Sequence, residues 1–325
     1  MKTIKNYTFS SLEESILTTL ACSNALKIYP TSFELFSLLL KPKLSRNCAV
    51  RSVSYSDVMG TLEQLEALDL IHVDRGFYFF SFLRPRTRSF STYRIQTDKL
   101  LDQKWNTLAR YLSWFRFLPF LEGVFVSGSL TIGTVQEDSD FDFLLVSTPD
   151  HLYTLRLFSV CVFNLLGIRR KPHHKGKTAR NKVCLNHYLS LGELTMKNRL
   201  FEGMLLDTHL VPVYVRNTNL ISEFFKANEW IREYFFRTAF QERVQYSERP
   251  HIPYRFSLVR EGFEWFLDGR MGKIFEHAVY TWQKRRIPEG QNCFATPHEL
   301  NLHPHLEERY HRLDRILHEY FRRLW

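Results

Sequence analysis

The stretch VSGSLTIGTVQEDSDFDFLLVS, residues 126–147, ends an apolar run in Gly128-Ser129 and then sets Asp140 and Asp142 around Phe141, inside a segment otherwise as apolar as FDFLLV. Side chains alternate along a strand, so Asp140 and Asp142 share one face and Phe141 and Phe143 the other. Neighbouring carboxylates repel each other, and a cation between them removes the penalty. Magnesium suits such a pair because it takes hard oxygen ligands, commonly one or two carboxylates, and fills its remaining positions with phosphate oxygens and water. A glycine at the strand end lets backbone approach a ligand closely, and the turn amides together with the Ser129 hydroxyl suit phosphate oxygens. Gly133 supplies a second flexible point before the chain returns. The chemistry expected of these residues is metal-assisted handling of a triphosphate.

Alternating elements must hold them in place. Strands are expected near 122–127, 140–147, 183–190 and 210–215, with helices near 150–167 and 192–207, which is a mixed α/β pattern. A long helix from about Asp98 to Phe117 leads into the first strand. Upstream, apolar residues recur at helical spacing over Leu12–Cys22 and Ser32–Leu40, with Thr31 or Ser32 as a cap. SYSDVMGTLEQLEALDLI puts Val58, Leu62, Leu65 and Leu68 on one stripe, capped by Ser54 or Ser56. LIHVDRGFYFF then reads as a hairpin turning at Asp74-Arg75-Gly76. Three helices and a hairpin resemble a winged helix over residues 8–83. Its third helix carries Asp57, Glu63, Glu66 and Asp69 and no Lys or Arg between Ser54 and Ile71, which argues against reading a DNA groove. SFLRPRTRSFSTYRIQ breaks the periodicity and is expected to be a linker. From about Asn219 onward the chain reads as mostly helical, with Phe263, Trp265, Phe266, Tyr320, Phe321 and Trp325 expected to pack between helices. The expected domains are 1–95, 96–216 and 217–325.

Val126, Gly128, Ser129, Gly133, Ser139, Asp140, Asp142 and the apolar FLLV that follows fall in register with a known signature. In these residues the chain resembles the DNA polymerase β-type nucleotidyltransferase superfamily. The order of elements resembles its small bacterial members with a winged-helix-like segment in front. The resemblance implies an α+β fold with a mixed sheet, preceded by a winged-helix-like domain and followed by a helical one. It also implies that Asp140 and Asp142 hold Mg2+, one ion or two, and that Gly128 and Ser129 hold the β- and γ-phosphates of a nucleoside triphosphate. The implied reaction is in-line attack of an acceptor hydroxyl on the α-phosphate with pyrophosphate leaving. Members of the superfamily generally add a third carboxylate from a neighbouring strand. Here that strand reads KVCLNHYLS and offers Asn186, whose amide can coordinate or hydrogen-bond but takes no proton. Glu193, Glu202 and Asp207 lie near in sequence, and His187 reads as a packing residue. Two outcomes stay open: transfer to an RNA, protein or small-molecule acceptor, or nucleotide or RNA binding on a fold without activity. A winged-helix regulator sensing a nucleotide is a third, weakened by the acidic third helix.

RRKPHHKGKTARNK, residues 169–182, holds Arg169, Arg170, Lys171, Lys175, Lys177, Arg180 and Lys182 and no acid. Such a run is either a solvated loop or a surface for a triphosphate or a polyanion such as RNA. Lys182, nearest the strand, is the expected phosphate contact. The chain of 325 residues has a net charge of +10, which favours anionic partners, and its 44% hydrophobic content is that of a globular protein with a sizeable core. The scattered Cys22, Cys48, Cys161, Cys184 and Cys293 read as reduced structural residues, and MKTIKNYTFSSLEES lacks a signal-peptide pattern, so a cytoplasmic protein without membrane partners is expected. Cys293 with His298, His303, His305, His311 and His318 matches no standard zinc spacing.

Overall fold

The computed structural model describes residues 7–41, 53–83, 89–196, 210–235, 257–287, 290, 293–302 and 306–324. The chain forms two compact units, one of Met1–Lys99, Trp230–Arg243 and Glu308–Trp325, the other of Leu100–Glu229 and Val244–Glu307. The fold is α+β with a mixed sheet. No helix among the described residues is long and apolar enough to cross a membrane.

In the first unit, α1 (Ser11–Ala25), α2 (Ser32–Ser37) and α3 (Tyr55–Ala67) each open on a capping box, formed by Ser10 with Glu13, Thr31 with Glu34 and Ser54 with Asp57. Each box satisfies two amide groups that a helix start would leave without partners. Strands β1 (Ile71–Asp74) and β2 (Phe77–Phe80) pair as an antiparallel hairpin. Leu17, Leu20, Leu35, Val58, Leu62, Leu65 and Phe80 are buried here. The next helix, α4 (Phe90–Leu112), starts earlier than its periodicity suggests, inside the expected linker, and ends before Phe117, with Phe115–Phe117 forming one 3-10 turn. Its start depends on the hairpin: the Asp74 carboxylate accepts from the Ser91 amide at 3.2 Å and from the Ser89 hydroxyl. A cap supplied from another element leaves no mark in the local sequence.

The second unit contains β3 (Leu121–Ser127), α5 (Ser129–Ile132), β4 (Phe141–Ser147), α6 (Leu152–Leu165), β5 (Val183–Ser190), β6 (Val211–Val215), α7 (Asn219–Ala227), α8 (Leu258–Leu267), α9 (Gly269–Lys284), β7 (Cys293–Ala295) and β8 (Glu299–Leu302). Helix α10 (Leu306–Leu324) follows, and within the first unit its Tyr320 ring packs against Phe80 and Phe82. The sheet order is β6-β3-β4-β5-β8-β7, with β4 and β5 parallel and the other neighbours antiparallel. Val126, Phe143, Leu145 and Tyr188 belong to the core with Trp105, Leu108 and Leu112 of α4 and Phe163 of α6. Phe125, one residue out of phase with Val126, stacks on Phe224 of α7 at 4.8 Å.

Three features differ from the sequence reading. The carboxy-terminal third, expected to be mostly helical, also supplies two strands, β7 and β8, that extend the sheet past β5; strands this short carry too few residues for a legible period. Residues 192–196, expected to open a helix, are not helical: a turn at 191–192 leads to Glu193, which bridges back to Ser190, and 197–209 lie outside the described residues. Trp265 is 84% exposed and Phe266 69%, so these two are not interhelical core, although Phe263 does pack on Phe158. Helix α8 instead buries Arg260, which bonds the Tyr214 hydroxyl and Glu261, and turns Glu264 to the Phe120 amide and to Arg216. Trp325 lies outside the described residues.

Helix α6 begins against α9. The Glu276 carboxylate accepts from the Tyr153 and Thr154 amides and the Thr154 hydroxyl, each at 2.7 Å, placing negative charge at the helix start. Just before it, the His151 ring stacks on Phe120 with centroids 3.8 Å apart, and burial holds its pKa below the ordinary value while Asp268 and Asp150 act in the opposite sense. The unfolded chain therefore takes up a proton near pH 6.5 that the folded one refuses, and stability falls as the pH drops through and below about 6.5. His151→Phe should flatten that part of a urea-denaturation series against pH. An unchanged slope would assign the acid loss to other groups.

Candidate active site

The end of β3 and the start of β4 converge at Gly128, Asp140 and Asp142. Register pairs Ser127 with Asp142, so the turn after Ser127 passes directly over that carboxylate. Gly128 has φ 73° and ψ −149°, and a Cβ built there would lie 2.4 Å from Asp142 Oδ2. That backbone region is essentially restricted to glycine. The Gly128 carbonyl accepts from the Thr131 amide at 3.2 Å and the Thr131 hydroxyl at 3.0 Å, and Ser129 opens the short α5 partly exposed.

Asp140 immediately precedes β4, and its neighbours are tied down on both sides. The Phe141 amide bonds the Lys182 carbonyl at 2.9 Å, and the Asn181 amide bonds the Ser139 carbonyl at 3.1 Å. Lys104 of α4, only 3% exposed, donates to the Glu137 carbonyl at 2.9 Å, the Ser139 carbonyl at 2.7 Å and Asn181 Oδ1 at 2.9 Å. Three oxygen acceptors match the three N–H donors of an ammonium, while burial pulls its pKa below that of an ordinary lysine. Sequence reasoning passed over Lys104. The signal was present: a lysine at the stripe position between Leu101 and Leu108, beside Trp105.

The neighbouring strand alters the expected ligand set. Asp142 is paired with Cys184, and the register then slips between Phe143 paired with Leu185 and Leu144 paired with His187, leaving Asn186 as the extra residue of a bulge. The side chain set next to the carboxylates is therefore Cys184. One ligand atom each from Asp140, Asp142 and Cys184 lie within 4.8 Å of one another, and this is the one such group of metal-ligating side chains among the described residues. Burial pushes the Cys184 thiol well above its usual pKa, Asp142 and Asp140 add to that effect, and Arg170 opposes it. The bulge also turns His187 toward β8, where its Nε2 lies 3.1 Å from the buried Glu299 Oε1.

The carboxylate pair suits a hard divalent cation such as Mg2+, whose other positions phosphate and water would fill, whereas the soft sulfur of Cys184 does not suit that ion. No third carboxylate joins the pair among the described residues. Glu193 sits in the turn after β5, and Glu202 and Asp207 lie outside the described residues.

Among the described contacts, the cation that meets Asp140 is Arg170, not Lys182. Arg170 Nη1 is 2.7 Å from Asp140 Oδ2 and 3.6 Å from Cys184 Sγ. Lys182 Nζ donates to the Gly167 carbonyl at 2.6 Å, and Arg180 pairs with Glu137 at 2.8 Å. Lys171, Lys175 and Lys177 are exposed. Nothing in their spacing within RRKPHHKGKTARNK separates Arg170 from the rest; only the fold of the segment does. Compared with family models, curated proteins and solved structures, the chain matches none.

Proposed function

We propose that this chain is a magnesium-dependent nucleotidyltransferase of the polymerase β type, which binds a nucleoside triphosphate at the Asp140/Asp142 face and transfers its nucleoside monophosphate to an acceptor hydroxyl. The observation that carries this reading is the approach of the Gly128 backbone to the Asp142 carboxylate, beside Asp140. When bound, Mg2+ would neutralise phosphate charge and align the attacking and leaving oxygens. Asp140 and Asp142 would hold it, and the Gly128-Ser129 turn would receive the β- and γ-phosphates. Lys104 would keep Asp140 in place through the Ser139 carbonyl. Exposed Lys171, Lys175 and Lys177 would favour an RNA or other polyanionic acceptor.

A second reading, nucleotide or RNA binding without transfer, is favoured by one observation. The side chain beside Asp142 is the thiol of Cys184, so among the described residues the attacking hydroxyl has no third carboxylate to help take its proton. Incubation with each α-labelled nucleoside triphosphate, Mg2+ and cell extract separates the two. Label on RNA, protein or a small molecule supports transfer. Thermal stabilisation by nucleotide with Mg2+ but no labelled product supports binding alone, and neither result sinks both.

Asp140→Asn and Asp142→Asn are each expected to abolish the Mg2+-dependent stabilisation by nucleotide in a thermal melt. The alternation of side chains alone suggests that both substitutions leave the ligand-free protein level or more stable, by relieving repulsion. The Arg170 pair changes this for Asp140, whose side chain is 17% exposed: Asp140→Asn should cost about 1 kcal/mol without ligand. A ligand-free melting temperature unchanged in Asp140→Asn would show the pair to be energetically idle.

A further inference from the structure

We infer that Arg170 is a built-in counter-ion for the carboxylate pair, one that occupies Asp140 in the metal-free protein, gives way when a divalent cation binds, and then contacts the triphosphate. This rests on the metal and triphosphate reading above and adds to it a residue whose two roles have opposite signs.

The geometry singles Arg170 out. It alone of the seven cations in residues 169–182 has an ion pair with the aspartates among the described contacts, through Nη1 and Asp140 Oδ2 at 2.7 Å. Its main chain is fixed: the Arg170 amide donates to the Val183 carbonyl at 2.8 Å, and the Val183 amide returns to the Ile168 carbonyl at 2.8 Å. The Cα is thus held beside the first residue of β5, while the flexible three-methylene stem lets the guanidinium swing. At 32% exposure the side chain is neither sealed in nor free in solvent.

The charges decide the rest. A carboxylate oxygen engaged by a guanidinium at 2.7 Å cannot also take a cation at about 2.1 Å without forcing two positive centres together. The divalent ion gains more from two carboxylates than the guanidinium does from one, so the arginine yields. Its displaced fork then faces a newly arrived polyanion, and guanidinium groups bind phosphate oxygens bidentately.

The test measures Mn2+ alone by titration calorimetry, then ATP at saturating Mn2+, on wild type, Arg170→Met and Arg170→Lys. Arg170→Met keeps the stem but removes the competitor, so Mn2+ alone should bind about tenfold tighter while ATP binds about tenfold weaker. Arg170→Lys keeps a charge without the fork, and both its shifts should have the same sign and be smaller; it carries the test if Arg170→Met does not fold. Mn2+ affinity unchanged or weakened in the variants overturns the counter-ion role, and unchanged ATP affinity overturns the phosphate role. If wild type binds Mn2+ and Asp142→Asn does not, these failures fall on Arg170 alone. If wild type and Asp142→Asn both fail to bind Mn2+, the site reading and this inference fall together.

Discussion

Gly128→Ala is expected to destabilise the protein by about 2 to 4 kcal/mol and to abolish stabilisation by nucleotide with Mg2+. Two costs combine at this position. The backbone at φ 73° and ψ −149° is one that residues with a Cβ scarcely adopt. The added carbon would also stand 2.4 Å from Asp142 Oδ2, 3.2 Å from its Cγ and 3.3 Å from its Cβ, so the turn or the carboxylate must move. Either movement separates the Gly128-Ser129 turn, proposed to receive phosphate, from the carboxylate proposed to hold the metal. Gly133 provides the control: its φ is 78°, but nothing lies within 4 Å of a Cβ built there, so Gly133→Ala should cost only about 1 to 2 kcal/mol. Urea denaturation of both variants measures the difference. Combining Gly128→Ala with Asp142→Ala should recover part of the loss, because the clashing oxygen is gone, a coupling that a double-mutant cycle reads directly. Equal losses in the two glycine variants, with additive behaviour in the cycle, would mean that the close approach has no energetic consequence.

Lys104→Met is expected to cost about 3 kcal/mol and, in the fraction that stays folded at low temperature, to weaken Mn2+ binding. Methionine keeps most of the buried volume, so the loss reports the ammonium and not a cavity. Without it the Glu137 and Ser139 carbonyls and the Asn181 side chain lose their common donor. Ser139 is the residue before Asp140, and a loop released there no longer presents the carboxylate at a set angle to its partner. Asn181→Ala removes one of the three acceptors and should show the same pattern at a smaller size. Full stability in Lys104→Met, or reduced stability with Mn2+ affinity intact, would confine Lys104 to packing.

Much of the local architecture was legible in the sequence because it depends on neighbours a few residues apart. Alternation along DFDFLLV put Asp140 and Asp142 on one side, where their ligand oxygens do lie close, Ser54 and Thr31 stood where capping boxes formed, and the hairpin turned at Asp74-Arg75-Gly76 as its residues suggested. What the tertiary structure decided is what meets across those elements. The parallel register sets Cys184, and not an amide, beside Asp142, and the slip that follows leaves Asn186 as the unpaired residue of a bulge, because one extra residue in a strand displaces the side chains after it. Arg170 became distinct from six other cations only when its segment folded back along Val183, and Lys104 became a positioning residue only when α4 packed against the loop before β4. Asp74 likewise caps α4 from a strand elsewhere in the chain. Periodicity records which way a side chain points within its own element. Register, bulges and long-range hydrogen bonds depend on chain segments that are distant in sequence, so the partners of the two aspartates could be read only in the folded protein.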